Sequence, residues 1–434
     1  AKTLPHKTWG PHPKREIVFG SVILTNPVRS MSTDAPLLVS TRKGLFEVRG
    51  RGAAARIARA HFVGDNVTLA IVDRRDGAWY VVLDHGHFGV KLHRSDDGGA
   101  TFTEIAVPAY PPKPDGFVDK DMWGKDREWA LKGIWALAPA LDAPGALWAG
   151  TLPGGLFRSD DRGATWTLCE ALWHHPTRVK WNGGGADHAA IHSICVDPRD
   201  PRCVVVAVSS GGVWRTRDAG ASWTPHTVGM KAGYVPPEQA EWPENQDPHC
   251  VVQSPSDPTV FWCQHHMGIW RSTDDLASWT QIVVEPTSFG FPVAVHPREP
   301  GTAWFVPAHS DQKRTLIDGK VVVNRTRDGG QTFTALRAGL PQEHAYDLVF
   351  RHALDVATDG DQLAFGSSTG NLWVTDDQGE RWHQVAGHLP PIYAVRYGSQ
   401  APETPRAAAG LVAARSPCTR AGHSAQWPGP VRPL

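Results

Sequence analysis

The sequence lacks three features that would each indicate a functional class. Its 44 Lys and Arg residues balance its 44 Asp and Glu residues, so nothing favours a nucleic acid or an acidic membrane surface as a partner. It has no apolar run as long as a membrane-spanning helix requires. Its six cysteines form no Cys-x-x-Cys pair and show no zinc-type spacing, and we expect them to be buried free thiols.

The sequence also lacks a complete secretion signal. Lys14-Arg15 and the apolar stretch 17–24 resemble the start of one, but no small-residue cleavage site follows. We therefore expect a cytoplasmic protein, and we expect it to be monomeric.

What the sequence does contain is a short motif of the form Ser/Thr-x-Asp-x-Gly-x-Thr/Ser-Trp/Phe that recurs along the chain. Its central aspartates are Asp97, Asp161, Asp218, Asp274, Asp328 and Asp377. Two copies deviate, with Leu276 in the glycine position and Arg381 in the Thr/Ser position. Recurrence at intervals of about 50 to 60 residues indicates a repeat architecture.

Each motif suits a tight turn between antiparallel strands. Aspartate accepts hydrogen bonds from backbone N–H groups, and glycine adopts positive φ without steric cost. Short β-type runs precede each turn, so one repeat is about four strands. Four-stranded units arranged radially form a β-propeller. Seven glycines precede equivalent third strands and predict a seven-bladed, all-β propeller: Gly44, Gly89, Gly155, Gly212, Gly268, Gly319 and Gly370.

The two ends of the repeat region predict how the ring closes. The first repeat lacks an innermost strand, whereas a surplus strand-like run, 391–398, follows the last repeat. We expect this run to pair with the strand that begins near Pro36 and so to close the ring, which removes exposed strand edges. The propeller is thus predicted to span 35–398. An N-terminal extension, 1–34, and a Pro-, Arg- and Ala-rich tail, 399–434, are predicted to be disordered.

The repeated motif is that of the Asp-box, or bacterial neuraminidase repeat, and the chain resembles the sialidase-like propeller superfamily over roughly 35–398. This resemblance implies an Asp-box propeller fold. It also implies a carbohydrate-active glycoside hydrolase, although sortilin-type receptors and photosystem assembly factors carry the same box without such activity. No Arg-Ile-Pro sequence, which sialidases use to hold a substrate carboxylate, is present.

Candidate functional residues are predicted to share the propeller face opposite the boxes. The loop that leads into each innermost strand and the loop between the second and third strands lie on that face, and both carry His, aromatic and acidic residues. For a glycoside hydrolase, the candidate carboxylates are Asp187, Glu241, Asp247 and Asp347, of which we predict Asp187, Glu241 and Asp347 to be catalytic. The predicted substrate-binding residues are Arg42, Lys43, Trp181, Tyr234, Trp242, His265 and Tyr346.

Two other hypotheses concern the same face. His85, His87, His192, His249 and His266 are candidate ligands for a divalent metal ion such as Zn²⁺, because neutral imidazoles are common zinc ligands; this set would make the protein a metal-dependent hydrolase. Alternatively the face is a non-catalytic surface that recognises a peptide or protein partner. The hydrolase hypothesis requires a glycan or another small-molecule substrate, and no cofactor is required by any motif.

Overall fold

The computed structural model describes residues 35–398 except 122 and 184–187, and these residues form seven sheets of four strands each. The predicted seven-bladed, all-β propeller is therefore confirmed. The predicted extension and tail lie outside the described residues. Among the described residues, no helix has the length and apolar character needed to cross a membrane.

The strands follow one another from blade to blade along the chain. Blade 1 consists of β1 (Leu37–Thr41), β2 (Gly44–Arg49), β3 (Arg56–His61) and the last strand, β28 (Ile392–Tyr397). Blade 2 consists of β4 (Val67–Val72), β5 (Trp79–Asp84), β6 (Val90–Ser95) and β7 (Thr103–Ile105). Blade 3 consists of β8 (Gly133–Pro139), β9 (Leu147–Leu152), β10 (Leu156–Ser159) and β11 (Thr167–Leu168). Blade 4 consists of β12 (Ile191–Val196), β13 (Val204–Val208), β14 (Gly212–Thr216) and β15 (Thr224–Pro225).

The remaining blades repeat this order. Blade 5 consists of β16 (Pro248–Gln253), β17 (Phe261–His265), β18 (Gly268–Ser272) and β19 (Thr280–Ile282). Blade 6 consists of β20 (Gly290–Val295), β21 (Ala303–Pro307), β22 (Val323–Thr326) and β23 (Thr334–Leu336). Blade 7 consists of β24 (Leu354–Val356), β25 (Leu363–Gly366), β26 (Leu372–Thr375) and β27 (His383–Ala386). The short helix α1 (Glu170–Trp173) and 3₁₀ turns at Gly52–Ala54, Gly86–Phe88, Arg178–Lys180, Pro237–Gln239, Pro243–Asn245 and Ile317–Gly319 lie between strands.

The ring closes through the last strand, as predicted. β28 pairs antiparallel with β1, and Leu38 lies opposite Arg396 in the register. The side chain of Ile392 is fully buried in a cluster shared by blades 7 and 1, together with Val39 and Leu372. The first and last strands of the propeller therefore form one blade, which packs against blade 7.

The Asp-box turns have the predicted hydrogen bonds. Asp218 accepts a bond from the backbone N–H of Ser222 at 2.9 Å and bonds from the hydroxyls of Ser222 and Thr216, both at 2.6 Å. These bonds, with those from Ser222 the largest contribution, lower the pKa of Asp218 to about 2. Gly220 has a φ of +95°. In the deviating fifth-blade box, Leu276 takes a φ of +66° in the glycine position, and its buried side chain packs in the core between blades 4 and 5.

The cysteines of the described region are unpaired. Cys203, Cys250 and Cys263 are buried, whereas Cys169 and Cys195 are half-buried, and all five are free thiols. Burial raises the pKa of Cys195 to about 12. The expectation of buried free thiols is confirmed for Cys203, Cys250 and Cys263, whereas Cys169 and Cys195 are free but not fully buried.

Candidate functional site

A pocket of about 510 Å³ lies at the mouth of the central channel, on the face opposite the boxes. Successive strands of a blade run antiparallel, so the leading loops and the loops between second and third strands meet at this face. All seven blades contribute to the wall. One lining residue from each, in the order of blades 1 to 7, is Tyr393, Asp84, Trp135, Ser209, His249, Arg314 and Arg351. We call this cavity the mouth pocket. A concave site with several converging polar groups is the usual form of a ligand-binding site.

The floor of the mouth pocket is built from Trp135, Arg351 and His352. Trp135 and His352 also line a second cavity, of about 610 Å³, on the other side of the floor. The guanidinium of Arg351 lies 4.4 Å from the centroid of the Trp135 ring. His352 donates a hydrogen bond from Nε2 to the backbone oxygen of His192 at 2.7 Å, and burial lowers its pKa to about 3. The floor thus presents one cation and a neutral imidazole.

One wall of the pocket carries a compact group formed by Asp247, His249 and His266. Asp247 Oδ2 lies 3.7 Å from His249 Nε2 and 3.4 Å from His266 Nδ1. Burial opposes ionisation of Asp247, but the two neighbouring histidines hold its pKa well below the ordinary value. The same contact with Asp247 raises the pKa of His266. Asp247 is therefore a carboxylate at neutral pH, and its charge favours the protonated form of His266.

The other histidines predicted as metal ligands lie apart from this group. His192 is buried at the channel wall beside Trp135, with ring centroids 6.3 Å apart, and burial lowers its pKa well below the usual value. His85 lies 3.7 Å from Asp65 at the rim, and His87 is exposed against Phe88. Across the described residues, the group that could hold an ion is Asp247, His249 and His266. The structure thus brings two of the five predicted histidines together and adds a carboxylate.

Two of the three carboxylates predicted to be catalytic, Glu241 and Asp347, lie outside the lining of the mouth pocket. Asp187 falls outside the described residues. Glu241 is exposed and pairs with Lys231 at 3.3 Å. Asp347 is buried, and its Oδ1 accepts hydrogen bonds from Ser367 at 2.5 Å and Asn371 at 2.8 Å, which tie the leading loop of blade 7 to the loop before β26. Their catalytic roles remain predictions.

The residues predicted to bind substrate divide into exposed and buried sets. Arg42, Lys43 and Tyr346 are exposed on this face. Tyr234 is half exposed, and its ring meets the edge of His266 at 5.0 Å between centroids. Trp242 is similarly exposed and lies under the ammonium of Lys180 at 5.8 Å.

The other two predicted substrate-binding residues are inside the protein. Trp181 is 1% exposed and packs against Trp214 in the core of blades 3 and 4, rather than at the rim. His265 is fully buried, and its Nε2 lies 3.0 Å from the backbone nitrogen of Asp247, which donates to it. Neither side chain is accessible to a ligand in this structure, because each is already committed to packing or to the backbone.

A buried charge network fixes the leading loop of blade 3 beside the pocket. The carboxylate of Asp119 accepts hydrogen bonds from Arg178 at 2.5 Å, Trp129 at 2.9 Å and Arg127 at 3.4 Å. Arg127 in turn donates to the backbone oxygen of Trp181 at 2.6 Å. The leading loop of blade 3 is therefore held by hydrogen bonds to the segment that leads into blade 4.

Sequence reasoning missed Trp135, Phe291, Arg314 and Arg351 as pocket residues. The ring of Phe291 stacks on the ring of His249, with their centroids 4.7 Å apart. The guanidinium of Arg314 lies 5.6 Å from the centroid of the same Phe291 ring. Trp135 and Phe291 lie on innermost strands, where alternate side chains face the channel. An aromatic residue at a channel-facing position of such a strand is the signal that would have identified them.

Comparisons with known proteins agree with this fold. No protein-family profile matches the sequence. A xyloglucanase from a Paenibacillus species is 30% identical over 217 residues, which are 45% of this chain and 20% of that protein. The chain is an Asp-box propeller similar to part of a xyloglucanase. It spans about a fifth of the length of that relative.

Two solved structures resemble the fold at low sequence identity. The crystal structure of an ancestral GH74 enzyme has a TM-score of 0.50 at 13% identity, over 77% of this chain and 38% of that one. YCF48 from Cyanidioschyzon merolae has a TM-score of 0.45 at 11% identity, over 74% of this chain and 84% of that one. At 13% identity the likeness to the GH74 enzyme concerns the fold alone.

Proposed function

We propose that the protein is a carbohydrate-active glycoside hydrolase that binds its glycan in the mouth pocket. The observation that carries the proposal is the combination, in one pocket of about 510 Å³, of half-buried aromatic rings with an ionised, buried carboxylate. The similarity to a xyloglucanase over 217 residues supports xyloglucan or its oligosaccharides as the substrate class.

Aromatic rings on two walls provide surfaces for sugar rings. Phe350 and Tyr393 lie 6.1 Å apart between centroids, and both are half-buried along the pocket. Trp135 forms the floor beneath them. Such rings bury large apolar areas and suit the apolar faces of sugars, while Arg351 and Arg314 supply donors for hydroxyl groups.

Two carboxylates line the pocket among its described residues, and they come from blades 2 and 5. In a ring of seven, these blades face each other across the channel. Asp247 is held ionised and can stabilise positive charge at the reacting carbon or act as a base. Asp84 on the opposite wall accepts a hydrogen bond from the backbone of Gly86 at 2.9 Å and is the second candidate carboxylate.

A glycan-binding measurement tests the substrate class. Calorimetric titration with xyloglucan oligosaccharides should show binding to the wild type and at least about tenfold weaker binding to Tyr393→Ala, because the ring forms a pocket wall. The ring of Tyr346 is exposed and lies outside the pocket lining, so Tyr346→Ala is the matched control and should bind as the wild type does. If Tyr346→Ala weakens binding and Tyr393→Ala does not, the ligand lies elsewhere on this face.

A hydrolysis panel tests the catalytic residues. Asp247→Asn and Asp84→Asn should each lower turnover by about 10²-fold or more, which is the usual contribution of a carboxylate in acid–base catalysis. Glu104→Gln, an exposed residue paired with Lys91 on the outer strand β7, is the control. Glu241→Gln and Asp347→Asn test the carboxylates predicted from the sequence. Turnover that survives both Asp247→Asn and Asp84→Asn would exclude the proposed pair.

A second candidate function is recognition of a protein or peptide partner by the same face. It is favoured by five exposed aromatic side chains on the leading loops: Phe117, Trp123, Tyr234, Trp242 and Tyr346. Exposed aromatics are enriched where proteins bind partners. A Trp123→Ala and Trp242→Ala double variant should lose a partner captured by the wild type while keeping oligosaccharide affinity, and an unchanged capture would count against this function.

A further inference from the structure

Each residue of the Asp247, His249 and His266 group has one atom that faces the other two. His249 donates a hydrogen bond from Nδ1 to the backbone oxygen of Gly290 at 2.7 Å, so its Nε2 carries the lone pair that points toward Asp247. Asp247 Oδ1 accepts a hydrogen bond from the backbone N–H of Ser210 at 3.2 Å, which leaves Oδ2 toward both histidines. His266 presents Nδ1 to the same oxygen. One oxygen of Asp247 and one nitrogen of each histidine therefore converge, and a cation bound between them would be held by all three.

The spacing of these atoms suits a metal ion better than hydrogen bonds. Zinc bonds of about 2.0 to 2.2 Å in tetrahedral geometry separate the ligand atoms by about 3.3 to 3.6 Å. The distances from Asp247 Oδ2 are 3.4 Å to His266 Nδ1 and 3.7 Å to His249 Nε2. Both exceed the usual length of a charge-assisted hydrogen bond, about 2.7 to 2.9 Å. All three ligand atoms lie within 4.8 Å of one another.

The surroundings of the group hold the ligands in place. The ring of His249 stacks on Phe291 with an interplanar angle of 15° and is fixed by its bond to Gly290. The backbone N–H of Asp247 donates to the buried ring of His265 at 3.0 Å. A histidine whose second nitrogen donates to a backbone carbonyl is the usual outer-shell arrangement around a metal. The group is therefore preorganised before any ion binds.

We propose that Asp247, His249 and His266 form a binding site for a divalent transition-metal ion of the Zn²⁺ type, with a free coordination position open to the mouth pocket. Two imidazoles and one carboxylate with an open position are the ligand set of catalytic zinc sites. Such an ion lowers the pKa of bound water and can polarise a ligand oxygen. Arg314 and Arg351 line the same pocket, and their positive charge favours hydroxide or another anion in the fourth position.

This inference deepens the proposed function of the same pocket but does not depend on the identity of the glycan. It also departs from the histidine set predicted by sequence, since His85, His87 and His192 lie outside the group. The ion, where bound, would place an activated water beside the sugar, and Asp247 would then act through the ion.

The experiment measures metal binding directly. The full chain is stripped with a chelator, and Zn²⁺ is titrated calorimetrically, while Co²⁺ reports coordination through its visible absorption. We expect one ion per chain. His266→Ala and His249→Ala should each weaken binding by more than the about 10- to 100-fold that loss of an outer-shell partner costs. His87→Ala, an exposed histidine on the same face, is the matched control and should bind as the wild type does.

The outcomes separate this inference from the proposed function. Circular dichroism checks that each variant is folded, and His266, which is the most exposed of the three ligands, is the variant expected to fold without difficulty. Absence of stoichiometric binding to the wild type, or binding that His266→Ala leaves unchanged, would overturn the site. Oligosaccharide affinity measured on the stripped protein tests the glycan proposal alone, so failure of one titration leaves the other result intact.

Discussion

The substitution Ile392→Ala measures how much ring closure contributes to stability. Ile392 is fully buried on β28, and a Cβ atom at Gly366 would lie only 2.4 Å from its Cγ2, so the strand packs tightly against blade 7. Alanine removes three buried carbons at about 0.8 kcal/mol each, or about 2.4 kcal/mol. A cavity contribution adds to this loss, and such substitutions usually cost about 2 to 5 kcal/mol. We expect a loss of about 3 kcal/mol in the free energy of unfolding.

The assay is urea unfolding followed by tryptophan fluorescence. The control is Ile57→Ala on the outer strand β3 of the same blade, where the side chain is 38% exposed and the expected loss is below about 1 kcal/mol. The two variants remove the same atoms from the inner and outer edges of one sheet. If both lower the stability equally, the closing strand has no special role and the reasoning fails.

Three further predictions concern turns and buried charges. The hydrogen bonds that lower the pKa of Asp218 to about 2 stabilise the fold above about pH 4, and this stability is lost as the pH falls toward 2. In Asp218→Asn, the midpoint of urea unfolding should therefore change less between pH 4 and about pH 2 than it does in the wild type. Asp119→Ala leaves Arg127 and Arg178 buried without their carboxylate and should lower the free energy of unfolding, measured in urea, by about 3 to 5 kcal/mol. Trypsin should also cleave the leading loop of blade 3 faster in this variant. Unchanged cleavage would show that the network does not hold the loop. Gly370 has a φ of +86°, and a Cβ atom added there would lie 1.7 Å from the backbone oxygen of Leu389. Gly370→Ala should therefore lower the melting temperature. An unchanged melting temperature would contradict the packing at that turn.

The blade count and ring closure follow from local sequence because each box fixes its own turn. Asp218 bonds only to residues within four positions of itself, so the motif carries all the information that the turn needs. The closing strand was predictable in the same way. The first repeat contains only three strand-like runs, and the run 391–398 supplies the fourth. The deviating box shows the limit of this reasoning, because Leu276 compensates for its unfavourable φ by packing between two blades.

The candidate site was predictable only in its general location. The order of strands and loops placed the candidate residues on the face that carries the mouth pocket, but contacts across the channel join residues far apart in the sequence, such as Trp135 and Arg351. Loop conformation also escaped prediction. Trp181 looked like an exposed loop aromatic, yet the segment that carries it is held to the Asp119 network by Arg127 and its ring turns into the core.

A crystal structure of the protein soaked with a xyloglucan oligosaccharide would show directly where a glycan binds. We predict density for sugar in the mouth pocket, between Tyr393 and Asp247 and above Trp135. Sugar bound on the face that carries the Asp-box turns, with the mouth pocket empty, would contradict this prediction.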